Sequence, residues 1–453
     1  MSKSKPRPFK LYPITLGCPK NRVDTEKLLA LLAEQGVEIV LEPSSADVLF
    51  INTCAFIREA VEESIDHILE LAEGKRPGQR LVVAGCLVAR YREELLPELP
   101  EVDLFLGTEP FRRPELFWEE EKFVPRLEGP ETTLRLLTAS PFYAYLKVVE
   151  GCRHACSFCT IPRIRGPLRS LPQELLLEEA QRLLDQGVQE IILVGQDVSA
   201  YGLDQGQRKL APLIRALLAL PNLKWLRLLY LYPDGITEEL IDLLAEGGKL
   251  CPYLDLPIQH ASPSILAQMR RSYRPEDLLS LIKKLRARVP QIALRTSVIV
   301  GFPGETEKDF TLLLDFLQEA AFDHLGAFVF SPEEGTLAAR LPGQLSEAEK
   351  RARWEEVMAL QQEISRQRLL ARLGEETEVL LEGEEGERFF GHARFQAPEV
   401  DGLTFLPRKE GVSVGDIVSV RLTQAQVYDL EGEILGYSSK KEGNGVAQDS
   451  SSK

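Results

Sequence analysis

Three closely spaced cysteines constrain this chain more than any other feature. Cys152, Cys156 and Cys159 stand at the spacing C-x3-C-x2-C, directly after a largely apolar run at residues 144–149 that predicts a β-strand. A loop leaving a strand can fold its thiolates onto one metal centre, and three soft ligands suit an iron–sulfur cluster or zinc. A closed zinc site needs four ligands, whereas a cubane cluster held by three cysteines leaves one iron open. His154 is available as a fourth zinc ligand, but its position inside the loop is unlike the usual zinc spacings.

Length and composition restrict the class of protein. With 453 residues the chain predicts two to four domains, at ~100–200 residues each. No apolar run approaches the ~20 residues of a membrane span, and the first ten residues lack the apolar region of a signal peptide. We therefore expect a cytoplasmic protein, where its 7 cysteines serve as ligands, catalysts or core residues rather than as disulfides. The net charge of -15 argues against a general nucleic-acid binder but leaves room for a local basic groove.

Alternating strands and helices characterise the first part of the chain. Strands are predicted at residues 10–16, 48–52 and 80–84. A helix is predicted after each strand. Asp24 or Thr25 is expected to cap the first helix, and the other two are expected at about 56–73 and 88–96. This alternation predicts a parallel sheet with helices on its faces.

Three further cysteines, Cys18, Cys54 and Cys86, each stand just past one of these strands. The carboxyl ends of parallel strands share one edge of the sheet, where ligands bind, so thiols far apart in sequence can converge. A single cysteine after a strand is usually a small buried apolar residue. Because the placement occurs three times, we predict a second three-cysteine cluster with an open iron.

Two further folding units follow. From residue 142 to residue 330, about six strand-and-helix repeats predict a full or partial barrel with its site at the carboxyl ends of the strands. A capping box of Ser346 and Glu349 starts a long helix, and short strands after Gly374 predict a small antiparallel barrel. The predicted domains are a flexible tail (1–9), an α/β domain (10–125), a linker (126–140), the central barrel with its long terminal helix (141–371), the small β-barrel (372–437) and a disordered tail (438–453).

The chain resembles the methylthiotransferases of the radical S-adenosylmethionine superfamily over nearly its whole length. The spacing of the first three cysteines and the aromatic Phe158 before the third are similar to that superfamily's loop, and the last domain resembles its OB-like TRAM domain. One branch of the family modifies an adenosine in transfer RNA, and the other modifies an aspartate of the twelfth small-subunit ribosomal protein. The segments that resemble the second branch are LGCPKNRVDTE from Leu16, NTCAFI from Asn52, AGCLVARY from Ala84 and GAFVFSPEEGT from Gly326.

The chain also differs at several positions from the residues usual in one branch or in the whole family. The transfer-RNA branch typically has a Gln-Met pair where Pro19 and Lys20 stand here. Ala55 stands where the family usually has glycine, which the backbone tolerates if φ stays negative. Leu171 stands where the family usually has arginine, so one basic contact near the radical cluster is missing.

The resemblance implies two 4Fe-4S clusters, one on Cys18, Cys54 and Cys86 and one on the 152–159 loop, with S-adenosylmethionine bound at the open iron of the second. It implies that a deoxyadenosyl radical removes hydrogen from the aspartate β-carbon, and that sulfur held on the first cluster is methylated by a second S-adenosylmethionine and transferred. The implied partners are a basic ribosomal protein, free or in the subunit, an electron donor such as flavodoxin or ferredoxin, and a sulfur donor. We expect a monomer with no membrane partner.

Further cofactor-binding residues are predicted less directly. Gly195, Gln196 and Asp197 follow a strand and resemble the family's cofactor-contact loop, although a plain turn would have the same sequence. Phe158 packs on adenine or simply fills the loop. Arg295 contacts the cofactor carboxylate or pairs with a core carboxylate. Gln259 and His260 follow another strand end.

Other residues have structural interpretations. Cys251 has no cysteine partner nearby in sequence and is predicted to be structural. Glu333 and Glu334 resemble the carboxylate pair of a glycosidase only superficially, because adjacent residues in a strand or turn point apart.

The charge of the last domain bears on the substrate. Residues 371–437 contain 14 acidic and 6 basic residues, a net charge of -8. Such a surface repels RNA phosphates and attracts a basic protein, although an ordinary solvated acidic face would have the same composition. Two other functions remain open: a transfer-RNA adenosine methylthiotransferase, and a non-enzymatic binding module stabilised by zinc.

Overall fold

The computed structural model describes residues 9–437, and the chain divides into two compact units, Met1–Gln361 and Gln362–Lys453. The tail predicted at 438–453 and all but the last residue of the tail predicted at 1–9 lie outside the described residues. No helix between residues 9 and 437 has both the length and the apolar character needed to cross a bilayer.

The first unit begins with a parallel α/β domain. Its strands and helices in chain order are β1 (Lys10–Thr15), α1 (Pro19–Glu34), β2 (Glu38–Ile39), β3 (Val48–Thr53), α2 (Arg58–Glu73), β4 (Arg80–Gly85), α3 (Cys86–Tyr91), α4 (Leu95–Glu98), β5 (Leu104–Leu106) and β6 (Phe123–Val124).

All six strands of this domain form one parallel sheet in the order β2-β1-β3-β4-β5-β6. The chain reverses its direction of winding between β1 and β3, and ligands bind at such a switch point in open α/β sheets. Continuous apolar runs in β3 and β4 are buried because helices cover both faces. The predicted parallel sheet is therefore confirmed, with three additional short strands, β2, β5 and β6.

Helix α1 differs from its prediction in both its start and its burial. It begins at Pro19 with Cys18 as its N-cap, so the prediction that Asp24 or Thr25 caps it was wrong. Both residues lie within the helix and are buried, as are Glu26 and Lys27. α1 packs against the first strand of the following barrel, where Asp24 pairs with Lys147, and Lys27 pairs with Glu179 of the same barrel. Thr25 accepts a hydrogen bond from Asn52 of β3.

The second part of the first unit is a partial barrel. Its elements are β7 (Tyr143–Lys147), β8 (Val149–Glu150), α5 (Ile161–Arg165), β9 (Arg169–Ser170), α6 (Gln173–Asp185), β10 (Glu190–Val194), α7 (Leu210–Leu218), β11 (Trp225–Leu228), α8 (Glu238–Glu246), β12 (Leu250–Asp255), α9 (Pro263–Gln268), α10 (Pro275–Arg288), β13 (Ala293–Val300), α11 (Glu307–Ala320) and β14 (His324–Val329). The long α12 (Glu347–Leu370) begins in the first unit, which ends at Gln361.

Six parallel strands of this part are arranged in the order β14-β13-β12-β11-β10-β7, and β8 pairs with β9 separately. The sheet is open, so the partial form of the predicted barrel is correct. Leucine, isoleucine and valine side chains from the strands and the covering helices form one continuous core. Ser346 and Glu349 form the predicted capping box before α12.

Residues 126–140, predicted as a linker, contain no helix or strand but include buried side chains. Arg135 bonds to Glu26 of α1 and lies 2.8 Å from Glu179 of α6, and Lys27 lies 2.9 Å from the same glutamate. These contacts join the α/β domain to the barrel within the first unit.

The second unit contains a closed five-stranded barrel. Its strands are β15 (Glu376–Glu385), β16 (Arg388–Ala393), β17 (Thr404–Pro407), β18 (Ile417–Ala425) and β19 (Leu430–Tyr437), and they close in the order β15-β16-β17-β19-β18. Four pairs are antiparallel and β17 with β19 is parallel. The predicted small β-barrel is confirmed.

Candidate cluster and cofactor sites

The carboxyl ends of β1, β3 and β4 bring Cys18, Cys54 and Cys86 to one edge of the first sheet. Cys54 directly follows β3, and Cys86 is the first residue of α3. Gly17 precedes Cys18 with φ +85°, and a Cβ on it would lie 2.8 Å from the sulfur of Cys54. Glycine therefore allows the two cysteine segments to approach closely. The structure brings the three side chains together, while their role as metal ligands stays a prediction.

Asn21 aligns the strand ends that carry these cysteines. Its side-chain amide donates to the carbonyl of Leu16 at 3.0 Å and to that of Thr53 at 2.9 Å. One buried amide thus joins the residue after β1 to the last residue of β3, which holds the cysteines of the two segments in register.

The three thiols of this set have different electrostatic surroundings. Burial and, to a smaller extent, the nearby Cys86 raise the pKa of Cys54 to about 12. Burial also opposes ionisation of Cys18, but Lys20, Arg165 and backbone N–H groups outweigh it, so the pKa of Cys18 is lowered. These cations favour the thiolate form that binds a metal.

The second set lies on the loop after β8. Cys152, Cys156 and Cys159 are partly buried, and burial raises the pKa of Cys152 to about 11 and that of Cys159 to about 12. The loop is held to the barrel because the N–H of Ser157 donates to the carbonyl of Met269 and its carbonyl accepts from Ala338.

The separation of the three sulfurs in each cysteine set bears on whether a set suits a cluster or a single ion. Sulfurs 2.3 Å from one zinc ion would lie roughly 3.8 Å apart. In residues 9–437, the set of three possible ligand atoms within 4.8 Å of one another is Asp24, Glu109 and Glu150, and neither cysteine set meets this limit. Lys147 already pairs with all three carboxylates, and Arg165 pairs with Asp24 and Glu150. Three thiols held further apart fit a 4Fe-4S cluster better than zinc.

His154 has contacts of its own that explain its place in the loop. Its Nε2 lies 2.8 Å from the carboxylate of Asp197, and its ring stacks on Tyr232 with centroids 4.0 Å apart. These contacts tie the cysteine loop to the ends of β10 and β11. His154 therefore positions the loop and has a partner other than a metal.

The two cysteine sets lie next to each other within the first unit. Helix α5, which begins two residues after Cys159, packs against α3, which begins at Cys86. The hydroxyl of Thr160 donates to the carbonyl of Phe56, two residues after Cys54, at 3.4 Å.

Arg165 at the end of α5 spans this contact. Its guanidinium donates to the sulfur of Cys86 at 3.6 Å and to the side chain of Asn21. It also contacts Asp24 at 2.8 Å and Glu150 at 3.2 Å. A buried cation thus joins the segment after the second cysteine set to the first.

The predicted cofactor loop lies at the barrel mouth after β10. A Cβ on Gly195 would meet a methyl group of Val149 at 2.3 Å, so only glycine fits there. Gln196 donates to Glu150 at 3.3 Å, and its Oε1 is buried without a partner among residues 9–437. Such an orphaned acceptor fits a bound ligand that carries a hydrogen-bond donor, as the ammonium of S-adenosylmethionine does.

The other predicted residues have mixed surroundings. Phe158 packs against an apolar cluster that includes Met269 and Phe302. This is the contact that the loop-filling interpretation of Phe158 predicts. Arg295 on β13 is partly exposed and near Tyr230. His260 is fully buried, with a ring nitrogen 3.5 Å from Glu305. Gln259 has a positive φ of 65° and Cys251 is buried in β12.

The structure describes the surroundings of Ala55 and Leu171, the two residues that depart from the family pattern. Ala55 does not have a positive φ, so the condition for tolerating it is met. Leu171 is buried in the barrel core.

Glu333 does not face Glu334: it is buried against Arg90 at 2.8 Å, whereas Glu334 is exposed.

Sequence reasoning did not identify Asn21 and Arg165 as site residues. Both are polar residues a few positions from a cysteine, where a solvent-exposed role is the default, and only the packing of α1 and α5 shows their contacts. Their burial has no periodic sequence signal.

Family models match the three structural parts separately. The Uncharacterized protein family UPF0004 matches residues 10–107, the Radical SAM superfamily matches 146–317, and the TRAM domain matches 373–435. These matches agree with the order of the parallel α/β domain, the partial barrel and the closed β-barrel.

Relatives and solved structures are similar over most of the chain. The ribosomal protein uS12 methylthiotransferase RimO of Trichlorobacter lovleyi is 47% identical, covering 94% of this chain and 98% of that protein. The protein of the same name from Geobacter sulfurreducens is 46% identical with the same coverage. The radical S-adenosylmethionine methyltransferase TsrM of Kitasatospora setae, solved with cobalamin and a 4Fe-4S cluster, has a TM-score of 0.54 at 15% identity, covering 71% of this chain and 75% of that one. That likeness concerns the fold alone.

Proposed function

The chain belongs to the RimO-type branch of the radical S-adenosylmethionine methylthiotransferases, a family of transferases, and we propose that it adds a methylthio group to the β-carbon of an aspartate in ribosomal protein uS12. We propose two 4Fe-4S clusters, one on Cys18, Cys54 and Cys86 and one on Cys152, Cys156 and Cys159. The observation that carries the proposal is the adjacency of two separate three-cysteine sets in one compact unit.

The chemistry requires both sites. No side chain is basic enough to deprotonate a carbon beside a carboxylate, so acid–base catalysis does not account for substitution there. When bound, the clusters and S-adenosylmethionine supply the one-electron chemistry, the sulfur and the methyl group. Adjacent sites allow these groups to act on one substrate atom.

The protein's own residues orient and shield these groups. Asn21 and Arg165 hold the first cysteine segments against the second set, and His154 with Asp197 fixes the loop of the second. We propose that Gly195, Gln196, Asp197 and Arg295 bind the cofactor, and that Phe158 closes the apolar side of the loop. Fixed, mostly buried partners provide proximity and exclude water.

The last unit supports a basic protein as the substrate. Each of its five arginines from Arg372 to Arg421 pairs with a glutamate. Glu385, Glu387 and Glu433 remain exposed, so the surface is strongly acidic. A ribosomal protein that binds RNA carries the complementary charge.

Exposed arginines support an acidic electron donor. Arg153, Arg208 and Arg270 line a cavity of about 330 Å³ beside the second cysteine loop, together with Asp197 and Asp234. The three arginines are exposed. In a protein of net charge -15, this local basic area suits docking of an acidic flavodoxin or ferredoxin. A sulfur donor is also required, and we propose that the enzyme acts as a monomer.

The test offers both possible substrates to one preparation. Anaerobically reconstituted enzyme with S-adenosylmethionine, a reductant and sulfide would be given uS12 and transfer RNA together, and both products would be analysed by mass spectrometry. We expect methylthioaspartate in uS12. Methylthioadenosine in transfer RNA instead would assign the other branch, and a colourless preparation with zinc and no labile sulfide would overturn the enzymatic proposal.

A further inference from the structure

Lys20 differs from the other buried lysines of the chain. Four lysines between residues 9 and 437 are buried, namely Lys20, Lys27, Lys147 and Lys350. The last three each have a carboxylate oxygen within 2.9 Å. The ammonium of Lys20, which is 9% exposed, has no carboxylate of the described residues within 4.0 Å. The Cys18 thiolate and Asp255 act on this ammonium electrostatically, but no carboxylate of the described residues contacts it directly, so a carboxylate brought by a ligand would be stabilised there by a direct ion pair.

The ammonium of Lys20 is aimed at the mouth of the barrel. It lies 3.6 Å from the centre of the Tyr230 ring. Tyr230 is the second residue after β11, and Lys20 is the second residue of α1, two positions after Cys18. The cation therefore lies where the first cysteine set meets the barrel mouth.

Tyr230 is held in a strained conformation beneath this cation. Its φ is +58°, a region that a bulky aromatic residue rarely adopts. Its N–H donates to Asp255 at 3.1 Å, and its carbonyl accepts from Val198 at 2.9 Å. Neighbouring strand ends thus fix the residue in place, and strain maintained in this way is typical of functional sites.

We propose that Lys20 above Tyr230 forms a binding subsite for the side-chain carboxylate of the substrate aspartate, an inference that rests on the proposed function. A carboxylate next to the ammonium completes the missing ion pair, and the neighbouring β-carbon is then held between the two cysteine sets. The cation–π contact with the Tyr230 ring fixes the position and direction of the Lys20 ammonium.

A carboxylate could also come from S-adenosylmethionine. The position of Lys20 favours the substrate, because Lys20 belongs to the α/β domain beside Cys18, whereas the predicted cofactor residues Gly195, Gln196 and Arg295 all belong to the barrel. The experiment separates the two sources.

The test combines enzyme and substrate variants in full-length, cluster-reconstituted protein. Lys20→Met, Lys20→Arg and the matched control Lys27→Met would be compared with wild type. Lys27 is on the same helix but has a carboxylate partner. Affinities for uS12, for uS12 with the target aspartate changed to asparagine, and for S-adenosylmethionine alone would be measured without reduction, together with iron content and melting temperature.

We expect Lys20→Met to weaken binding of aspartate-bearing uS12 at least tenfold, and binding of the asparagine form and of S-adenosylmethionine by less than twofold. Lys20→Arg should retain most of the affinity. Lys20→Met should keep or raise the melting temperature because it removes a buried charge that has no carboxylate in contact, whereas Lys27→Met should lower it because it leaves Glu179 without this partner.

Three results would overturn the subsite. Equal losses for the aspartate and asparagine substrates would exclude carboxylate recognition, and a loss confined to S-adenosylmethionine would assign the carboxylate to the cofactor. Loss of iron or an altered spectrum of the amino-terminal cluster, with unchanged substrate discrimination, would make Lys20 a counter-ion of that cluster. Failure of the proposed function itself is separately visible, because wild type would then leave uS12 unmodified even when S-adenosylmethionine, a reductant and sulfide are supplied.

Discussion

The guanidinium of Arg165 donates to the sulfur of Cys86 at 3.6 Å, although the two residues belong to different folding elements 79 positions apart in sequence. The same side chain pairs with Asp24 and Glu150. A single cation therefore supports both the amino-terminal cysteine set and the contact between the α/β domain and the barrel.

Replacing Arg165 by Met should destabilise the first unit by about 3–5 kcal/mol, because two buried carboxylates lose a partner. Urea unfolding would measure this change, and Arg163→Met, an exposed neighbour on the same helix, should change the free energy of unfolding by less than about 0.5 kcal/mol. Equal effects of the two substitutions would contradict the assigned role of Arg165.

Replacing Cys152, Cys156 and Cys159 together by Ala should remove about half of the iron, because the amino-terminal set has its own ligands and strand ends. Iron and labile sulfide would be determined after anaerobic reconstitution. Cys251→Ala serves as the control and should keep all the iron, since Cys251 is buried in β12. If the triple variant lost all its iron, the two sites would not be independent.

Glu333→Gln should destabilise the first unit by about 1.5–3 kcal/mol, since Arg90 loses its carboxylate partner and the N–H of Arg58 loses its charged acceptor. Glu334→Gln is the matched control and should have little effect because Glu334 is exposed. Thermal or urea unfolding would measure the loss of stability in both variants. A larger loss for Glu334→Gln than for Glu333→Gln would contradict the role assigned to Glu333 as the buried partner of Arg90.

Charge reversal on the last unit tests its part in substrate binding. Changing Glu385, Glu387 and Glu433 to Lys should slow association with uS12 about tenfold at low salt, with the difference shrinking as salt screens the charges. Stopped-flow measurements across a salt series would show this. The same reversal at exposed Glu63, Asp66 and Glu73 of α2 is the control, and equal slowing there would mean that only the net charge of the protein acts.

The strongly patterned parts of the fold followed from the sequence, whereas contacts between folding elements did not. Apolar runs predicted β3, β4 and β10, and the position of Cys18, Cys54 and Cys86 after strands predicted their convergence. The start of α1 was missed because Asp24 and Thr25 look like capping residues. Asp24 is instead buried in ion pairs with Lys147 and Arg165, more than 100 residues away, and Thr25 accepts a hydrogen bond from Asn52 at the end of β3. Strands β2 and β6 have two residues each and depend on their neighbours.

In the candidate site too, the residues with a sequence pattern were predicted, and the contacts between folding elements were not. Ligand candidates were identified because cysteine spacing is specific. Lys20, Asn21 and Arg165 were not identified, since their roles depend on which faces of α1 and α5 meet, and single-residue polarity favours solvent for all three.

The mass of uS12 from cells with and without this gene tests the proposed methylthiolation of uS12. We expect the mass increment of one methylthio group, mapped to a single aspartate, to disappear when the gene is removed. An unchanged uS12 together with loss of a methylthiolated adenosine from transfer RNA would contradict it.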